Sequence, residues 1–175
     1  KGLNHGEFFL QYQPIILLDS RRCLGAEALI RWRRPAGVVM PIDFIPLVEN
    51  TPVSGLLTYW VIEKVAEELM EWLKANGDAY VSIDVPPEIL GRGGLEYAAR
   101  KSGLRDLTQQ LVLEVTERGV PDRLGLDALN NMAHVAGLRT ALDDVTLNGV
   151  NLAVLSRCSF DFIKIDRSLV GQIDG

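Results

Sequence analysis

Histidine and cysteine are scarce in this chain, and its basic residues are outnumbered by acids. It has two histidines, two cysteines, and 18 Lys and Arg against 23 Asp and Glu over 175 residues, a net charge of −5. His5 and His134 are isolated, and Cys23 and Cys158 lie far apart with no repeated spacing. With that scatter there is no cysteine cluster to hold zinc or iron–sulfur. The same spacing predicts buried, reduced thiols in a cytoplasmic protein and no disulfide framework. The acidic balance excludes the basic footprint of a nucleic-acid polymer binder, although local cations can still hold a small phosphorylated ligand. Long apolar runs are also missing. The longest candidate, Val53–Leu73, is broken by Glu63, Lys64, Glu67, Glu68 and Glu71, and falls short of the roughly 20 apolar residues of a membrane span. Nothing resembles a signal peptide. The expectation is a cytoplasmic domain with no direct membrane insertion, free or as the cytoplasmic part of a membrane-anchored sensor. No nucleophile elbow occurs, and no glycine loop followed by Lys-Ser/Thr cradles a phosphate.

What is present is enough apolar material for one core: 47% of residues are hydrophobic and 23% charged, consistent with a single domain. Strands are expected at Phe8–Leu18, Leu24–Trp32, Tyr80–Val85, Leu111–Val115, Arg139–Leu142 and Phe160–Ile165. Helices are expected at Asp43–Glu49 and Val53–Lys74, at Pro87–Lys101 with glycine interruptions, at Pro121–Ala136, and from about Val150 to Arg157. Leu57, Val61, Val65, Leu69 and Leu73 recur every four residues, the mark of an amphipathic helix, with Ser54 as its cap and Gly77 as its stop. Leu124, Leu129, Met132 and Ala136 form the inner face of the later helix. Alternating strands and helices imply parallel pairing through crossovers. Six strands fall short of the eight strands and about 250 residues of a complete α/β barrel, which leaves an incomplete barrel or an open sheet, the former preferred.

Acidic residues recur at the far ends of the apolar segments. Glu27 closes Leu24–Leu29, Asp84 ends Tyr80–Val85, Glu114 and Glu117 end Leu111–Val115, and Asp143-Asp144 follow Thr140–Leu142. Lys164 and Asp166 lie in the last apolar strand. Any one such acid is an ordinary loop residue or helix cap, and Asp43 reads as a cap. A row of them at the carboxyl ends of parallel strands is instead the layout of a barrel active site. A lysine facing a barrel interior needs a carboxylate partner. Oxygen-only donors suit hard ions such as Mg²⁺ or Mn²⁺. Two such ions about 3.5–4 Å apart can activate water and offset developing negative charge.

Six segments, in order, resemble the EAL domain, a bacterial family of cyclic di-GMP phosphodiesterases and inactive relatives. They are Tyr12-Gln13-Pro14-Ile15, Gly25-Ala26-Glu27-Ala28-Leu29-Ile30-Arg31-Trp32, Pro41-Ile42-Asp43-Phe44-Ile45-Pro46, Leu113-Glu114-Val115-Thr116-Glu117, Leu142-Asp143-Asp144 and Phe162-Ile163-Lys164-Ile165-Asp166. The resemblance covers nearly all of residues 1–175. It implies a TIM-type (β/α)8 barrel with about six of its eight strands represented here. It also implies a two-metal Mg²⁺ or Mn²⁺ site that hydrolyses cyclic di-GMP to linear pGpG in second-messenger signalling. By resemblance, Glu27, Asp84, Glu114 and Asp143 are metal ligands and Asp144 helps hold the second ion. Lys164 orients or deprotonates the attacking water, with Glu27 beside it in catalysis. Arg31 contacts phosphate, Gln13 contacts the ligand, and Glu117 braces the loop after the Asp pair. Family precedent implies a homodimer and an upstream sensor, receiver or GGDEF domain.

The pattern departs from the family in three places. Asp84 stands where the family usually has Asn, which adds a negative charge. Val145-Thr146-Leu147-Asn148-Gly149-Val150-Asn151 replaces the usual Phe-Gly-Thr-Gly-Tyr-Ser-Ser loop, which supports the second metal and the dimer. The last two strands, with a metal-binding Glu and a ligand-contacting Gln, have no counterpart. These departures sustain an alternative: a degenerate EAL domain acting as a non-catalytic cyclic di-GMP receptor or regulatory module.

Overall fold

A computed structural model of the chain describes residues 6–115, 121–131, 137–145 and 154–171. The chain opens with β1 (Phe8–Ile16) and β2 (Cys23–Arg34). The short link between them, with Arg21 at a φ of 54°, returns the chain directly and so makes this pair antiparallel. A third short strand, β3 (Gly37–Val39), folds back antiparallel on the end of β2. From there the chain alternates as its periodicity predicts. Helices α1 (Pro41–Phe44) and α2 (Pro52–Ala75) lead to β4 (Tyr80–Val85). Helix α3 (Gly94–Lys101) leads to β5 (Leu111–Val115), and α4 (Arg123–Asn131) to β6 (Arg139–Val145). Strand β7 (Phe162–Ile165) and a short α5 (Arg167–Val170) follow. The sheet order is β1-β2-β4-β5-β6-β7, parallel from β2 onward.

Strand alternation sends Val81, Ile83, Val85, Leu111, Leu113 and Val115 to one face, where they pack with Val61, Ile62, Val65 and Leu73 of α2 in the main core. Tyr80, Val112 and Ala141 form a smaller layer on the opposite face, with Phe162 against it. The rings of Tyr80 and Phe162 stack with centroids 5.5 Å apart, yet their strands are separated by β5 and β6. In a flat sheet three strand spacings would hold them roughly 14 Å apart. The sheet is therefore curled with this second face inside, the curvature of a barrel wall. Arg139 lies in the same concavity, its guanidinium 4.8 Å from the Tyr80 ring and 5.3 Å from that of Phe162.

Several local expectations need correction. Pairing is not parallel throughout, because the β1–β2 link is too short for a crossover, and β3 adds a strand that three residues are too few to announce. The cap of α2 is Thr51, whose hydroxyl accepts from the Val53 amide at 3.2 Å, with Pro52 at the first helical position. Ser54 instead lies inside the helix and donates to the Thr51 carbonyl. The helix ends at Ala75, before Gly77, and buried Gln110 donates to the carbonyls of Leu73, Asn76 and Ala79 at 2.8–2.9 Å. Those bonds occupy acceptors that a helix end leaves open. Asp43 sits within α1 and is not its cap. The glycines split Pro87–Lys101 into a 3₁₀ turn (Pro87–Ile89) and α3. Leu124 is half exposed while Leu129 is buried, and Cys23 is exposed while Cys158 is buried. Met132, Ala136 and residues 150–153 of the expected helix near 150–157 lie outside the described residues.

Gly25 faces Tyr80 where β2 meets β4, and a Cβ there would stand 2.4 Å from the Tyr80 carbonyl oxygen. Only glycine lets the two strands close to pairing distance. Gly25→Ala is expected to lower unfolding free energy by about 1–3 kcal/mol, measured by urea denaturation. A change inside experimental error would show that β2 can shift without cost.

Candidate active site

The concave face that carries Tyr80 and Val112 continues, two residues beyond Val112 and four beyond Tyr80, into charged side chains. Parallel strands end at one rim, and the period of two keeps alternate residues on one face. Asp84 on β4 stands directly beside Glu114 on β5, and Glu27 on β2 is registered with Ser82 on β4. Asp143 and Lys164 follow Ala141 and Phe162 by two positions on β6 and β7. The Lys164 ammonium lies 2.5 Å from Glu114 Oε2, 2.9 Å from Asp143 Oδ1 and 3.2 Å from Glu27 Oε1. One side chain on β7 thus reaches acids on three other strands, including β2 on the far side of the arc. Glu27, Asp84 and Glu114 each bring a carboxylate oxygen within 4.8 Å of the other two.

The electrostatics follow from crowding. Glu114 is 1% exposed; burial raises its pKa, and the Lys164 contact offsets part of that rise. Burial works against the Lys164 charge, but Glu114 first and Asp143 next outweigh it, so its pKa is held well above the ordinary lysine value. Lys164 is an ammonium in this state. Asp84 has no such partner. Surrounding protein, then repulsion from Glu114, Asp143 and Glu27, push its carboxyl from 3.8 up to about 7. The side chain nevertheless keeps an opening to solvent, so water or a cation can reach it. Ser82 Oγ, buried beneath, has no hydrogen bond of ordinary geometry, though it lies near enough to Glu114 to lower its pKa slightly. Four carboxylates facing one ammonium make a site short of positive charge. Its donors are all oxygen, and the set fits a hard divalent cation.

The other expected residues are placed less uniformly. Asp144 is exposed with a left-handed φ of 48°, at a point where the β6–β7 register shifts between Leu142 and Val145. That bulge turns the second aspartate away from simple alternation. With Asp84 and Asp143 it borders a cavity of about 200 Å³ whose other wall is apolar, from Ala28, Ile30, Leu57 and Val61. Gln13 is exposed and registered opposite Glu27, hence on the same face. Arg31 is 8% exposed; its Nε donates to Gln11 Oε1 at 2.7 Å and its Nη1 to the Ile30 carbonyl at 2.9 Å. Gln11 was not anticipated, and the available signal was its position two residues before Gln13 on the same strand face. Glu117 and residues 146–151 of the altered loop lie outside the described residues. Among the described residues, no helix is long and apolar enough to cross a membrane.

These shifts set a pH dependence for the metal-free chain. A carboxyl whose folded pKa of about 7 exceeds its unfolded 3.8 keeps its proton longer when folded, so stability falls as pH rises between the two values. Melting temperature is expected to drop from pH 5 to pH 8 in chelator, and Asp84→Asn to reduce that drop. The two proteins should converge near pH 4. A wild-type/D84N difference independent of pH would contradict the assignment.

Three comparisons bear on kinship. The family model described as EAL domain matches residues 1–175. The chain is 32% identical over 181 aligned residues to the protein Rv1357c of Mycobacterium tuberculosis, covering 99% of this chain and 59% of the relative. It is 33% identical over 172 residues to the cyclic di-GMP phosphodiesterase PA2567 of Pseudomonas aeruginosa, covering 96% of this chain and 29% of the relative. The chain thus spans well under two thirds of both. A solved structure of the EAL enzyme Bd1971, with cAMP and cyclic di-GMP bound, superposes with a TM-score of 0.84 at 31% identity, covering 98% of this chain and 49% of that one. With that match over its full length, and with the TIM-like curvature of its sheet, the chain belongs to the EAL domain family.

Proposed function

We propose that this chain carries the active-site face of a metal-dependent phosphodiesterase that opens cyclic di-GMP to linear pGpG in second-messenger signalling. The observation that supports this most is the convergence of Glu27, Glu114 and Asp143 on Lys164, with Asp84 at the rim. Relatives add weight: PA2567 is named a cyclic di-GMP phosphodiesterase, and Bd1971 was solved with cyclic di-GMP bound. In this reading Glu27, Asp84, Glu114 and Asp143 hold a pair of Mg²⁺ or Mn²⁺ ions, with Asp144 on the second. The ions supply Lewis acidity toward water and phosphate oxygen. Arg31 holds a phosphate oxygen through its planar fork, Gln13 contacts the ligand from the opposite strand, and Glu117 braces the following loop. Water oxygen attacks phosphorus, the P–O3′ bond of one linkage breaks, and the proton ends on the departing 3′ oxygen.

Lys164 has a narrower role than a general base in this state. Its charge is held by Glu114 and Asp143, so its Nζ–H groups orient a water and bind the carboxylates together. Deprotonation would require those carboxylates to be neutralised first. Reading residues 1–175 as one domain of a larger cytoplasmic protein, joined to a sensor, receiver or GGDEF domain and able to form a homodimer, belongs to the same proposal.

A second reading is specifically favoured by Asp84. Its extra charge, in a site already short of positive charge, opposes approach of an anionic ligand unless metal is bound, and the Val145–Asn151 sequence lacks, in their places, the glycines and small hydroxyl residues of the family pattern. A non-catalytic cyclic di-GMP receptor or regulatory module is the outcome if those changes abolish turnover.

The two are separated by incubating purified protein with cyclic di-GMP and Mg²⁺ or Mn²⁺, or with chelator, and resolving products by chromatography. Linear pGpG is expected only with metal and is expected to vanish in Glu27→Ala. Lys164→Ala is expected to lower kcat by about 10²–10³-fold, the loss of one positioned donor. Folded wild-type protein that binds ligand without forming product under either metal would establish the receptor reading and sink the enzymatic one.

A further inference from the structure

Arg31 lies on the same strand face as Glu27, four residues further along β2. Among the described residues it makes no ion pair with a carboxylate. Its Nε is held by the side-chain oxygen of Gln11 at 2.7 Å and its Nη1 by the Ile30 carbonyl at 2.9 Å. Neither contact uses Nη2. The registry explains how this is built: Phe9 stands opposite Arg31, Gln11 opposite Leu29 and Gln13 opposite Glu27, so all six share one face of the hairpin. Gln11 meets Arg31 on the diagonal. Because β1 is antiparallel to the rest of the sheet, it is the strand that delivers this acceptor from the side.

We infer that Gln11 is a positioning residue which orients the Arg31 guanidinium for a phosphate oxygen while leaving its charge unspent. A carboxylate in that place would fix the fork equally well but would neutralise it and compete with the ligand for its donors. An amide oxygen fixes geometry alone. A freely rotating arginine would be drawn toward Glu27 and its neighbours and would lose rotamer freedom on binding; a held one binds at lower entropic cost. The inference rests on the reading of Arg31 as the phosphate contact, and it assigns to β1 a second contribution besides Gln13.

The test uses purified wild type, Gln11→Leu, Gln11→Glu, Arg31→Ala and the Gln11→Leu/Arg31→Ala double variant. Two readouts are taken: the dissociation constant for cyclic di-GMP by calorimetry with Ca²⁺ as the hard, oxygen-seeking cation, and solvent exchange of the Arg31 Nε–H by ¹⁵N NMR. Gln11→Leu is expected to weaken binding about tenfold and to speed Nε–H exchange, with an unchanged melting temperature. Gln11→Glu is expected to keep the Nε–H protected yet weaken binding, a split that a merely structural side chain would not produce. In the Arg31→Ala background, Gln11→Leu is expected to have no further effect. Binding by Gln11→Leu equal to wild type, or the same additional loss with and without Arg31, would overturn the inference. Wild type that binds no cyclic di-GMP would sink the functional reading instead. In that case unchanged Nε–H exchange in Gln11→Leu would overturn the Arg31–Gln11 coupling on its own.

Discussion

The Lys164 ammonium, held by Glu114, Asp143 and Glu27, is the interaction on which the rest of this structure depends. It joins β7 to β6, β5 and β2, and it exists only if the sheet is curved enough to bring its two sides together. A buried carboxylate such as Glu114 is costly without a counter-charge, so the lysine makes the acid tolerable in the folded chain. The same contact has a chemical consequence. With its charge committed to Glu114 and Asp143, Lys164 leaves Asp84 without a counter-charge, and Asp84 is the acid whose ionisation is most opposed.

The curvature is supplied from both faces. Outside, α2 lays its apolar stripe along the sheet, and the Tyr12 hydroxyl donates to Glu68 of that helix at 2.7 Å. Inside, Tyr80, Arg139 and Phe162 stack across the bend. At the end where β1 begins, Phe8, Trp32, Phe44 and Trp60 form an aromatic cluster with centroids 5.4–6.1 Å apart. Glu7 closes that cluster by accepting from Trp32 and Arg34. Thus β1 is clamped against the end of β2 that carries Arg31. The strand that departs from the parallel pattern is therefore the one placed to hold the proposed phosphate ligand from outside the ring of acids.

Asp84 is one of three departures from the pattern that the family resemblance implies. An amide at that rim would coordinate a cation without adding charge. A carboxylate adds affinity for a cation and adds repulsion when none is there, and its upward-shifted pKa registers that repulsion. Metal occupancy and folding stability are thereby linked more tightly than an amide would link them.

Much of this was legible in the residues. The order of strands and helices follows from period-two and four-residue spacing, because backbone geometry dictates which side chains share a face. The acids were conspicuous because a carboxylate closing one apolar run after another has no packing purpose. Short elements were less legible: β3, the Thr51 cap and the split of Pro87–Lys101 each turn on a few backbone bonds that composition does not reveal. The antiparallel β1 depended on a link too short to cross over. Sequence by itself determined the kind of chemistry available, through the residue types at the strand ends and their order along the chain. Only the tertiary structure decided which of them meet. Glu27 and Lys164 touch because the sheet curls, Arg31 is held because an antiparallel strand carries Gln11 past it, and Asp84 is perturbed because the folded protein buries it and, secondarily, because three other carboxylates converge around it.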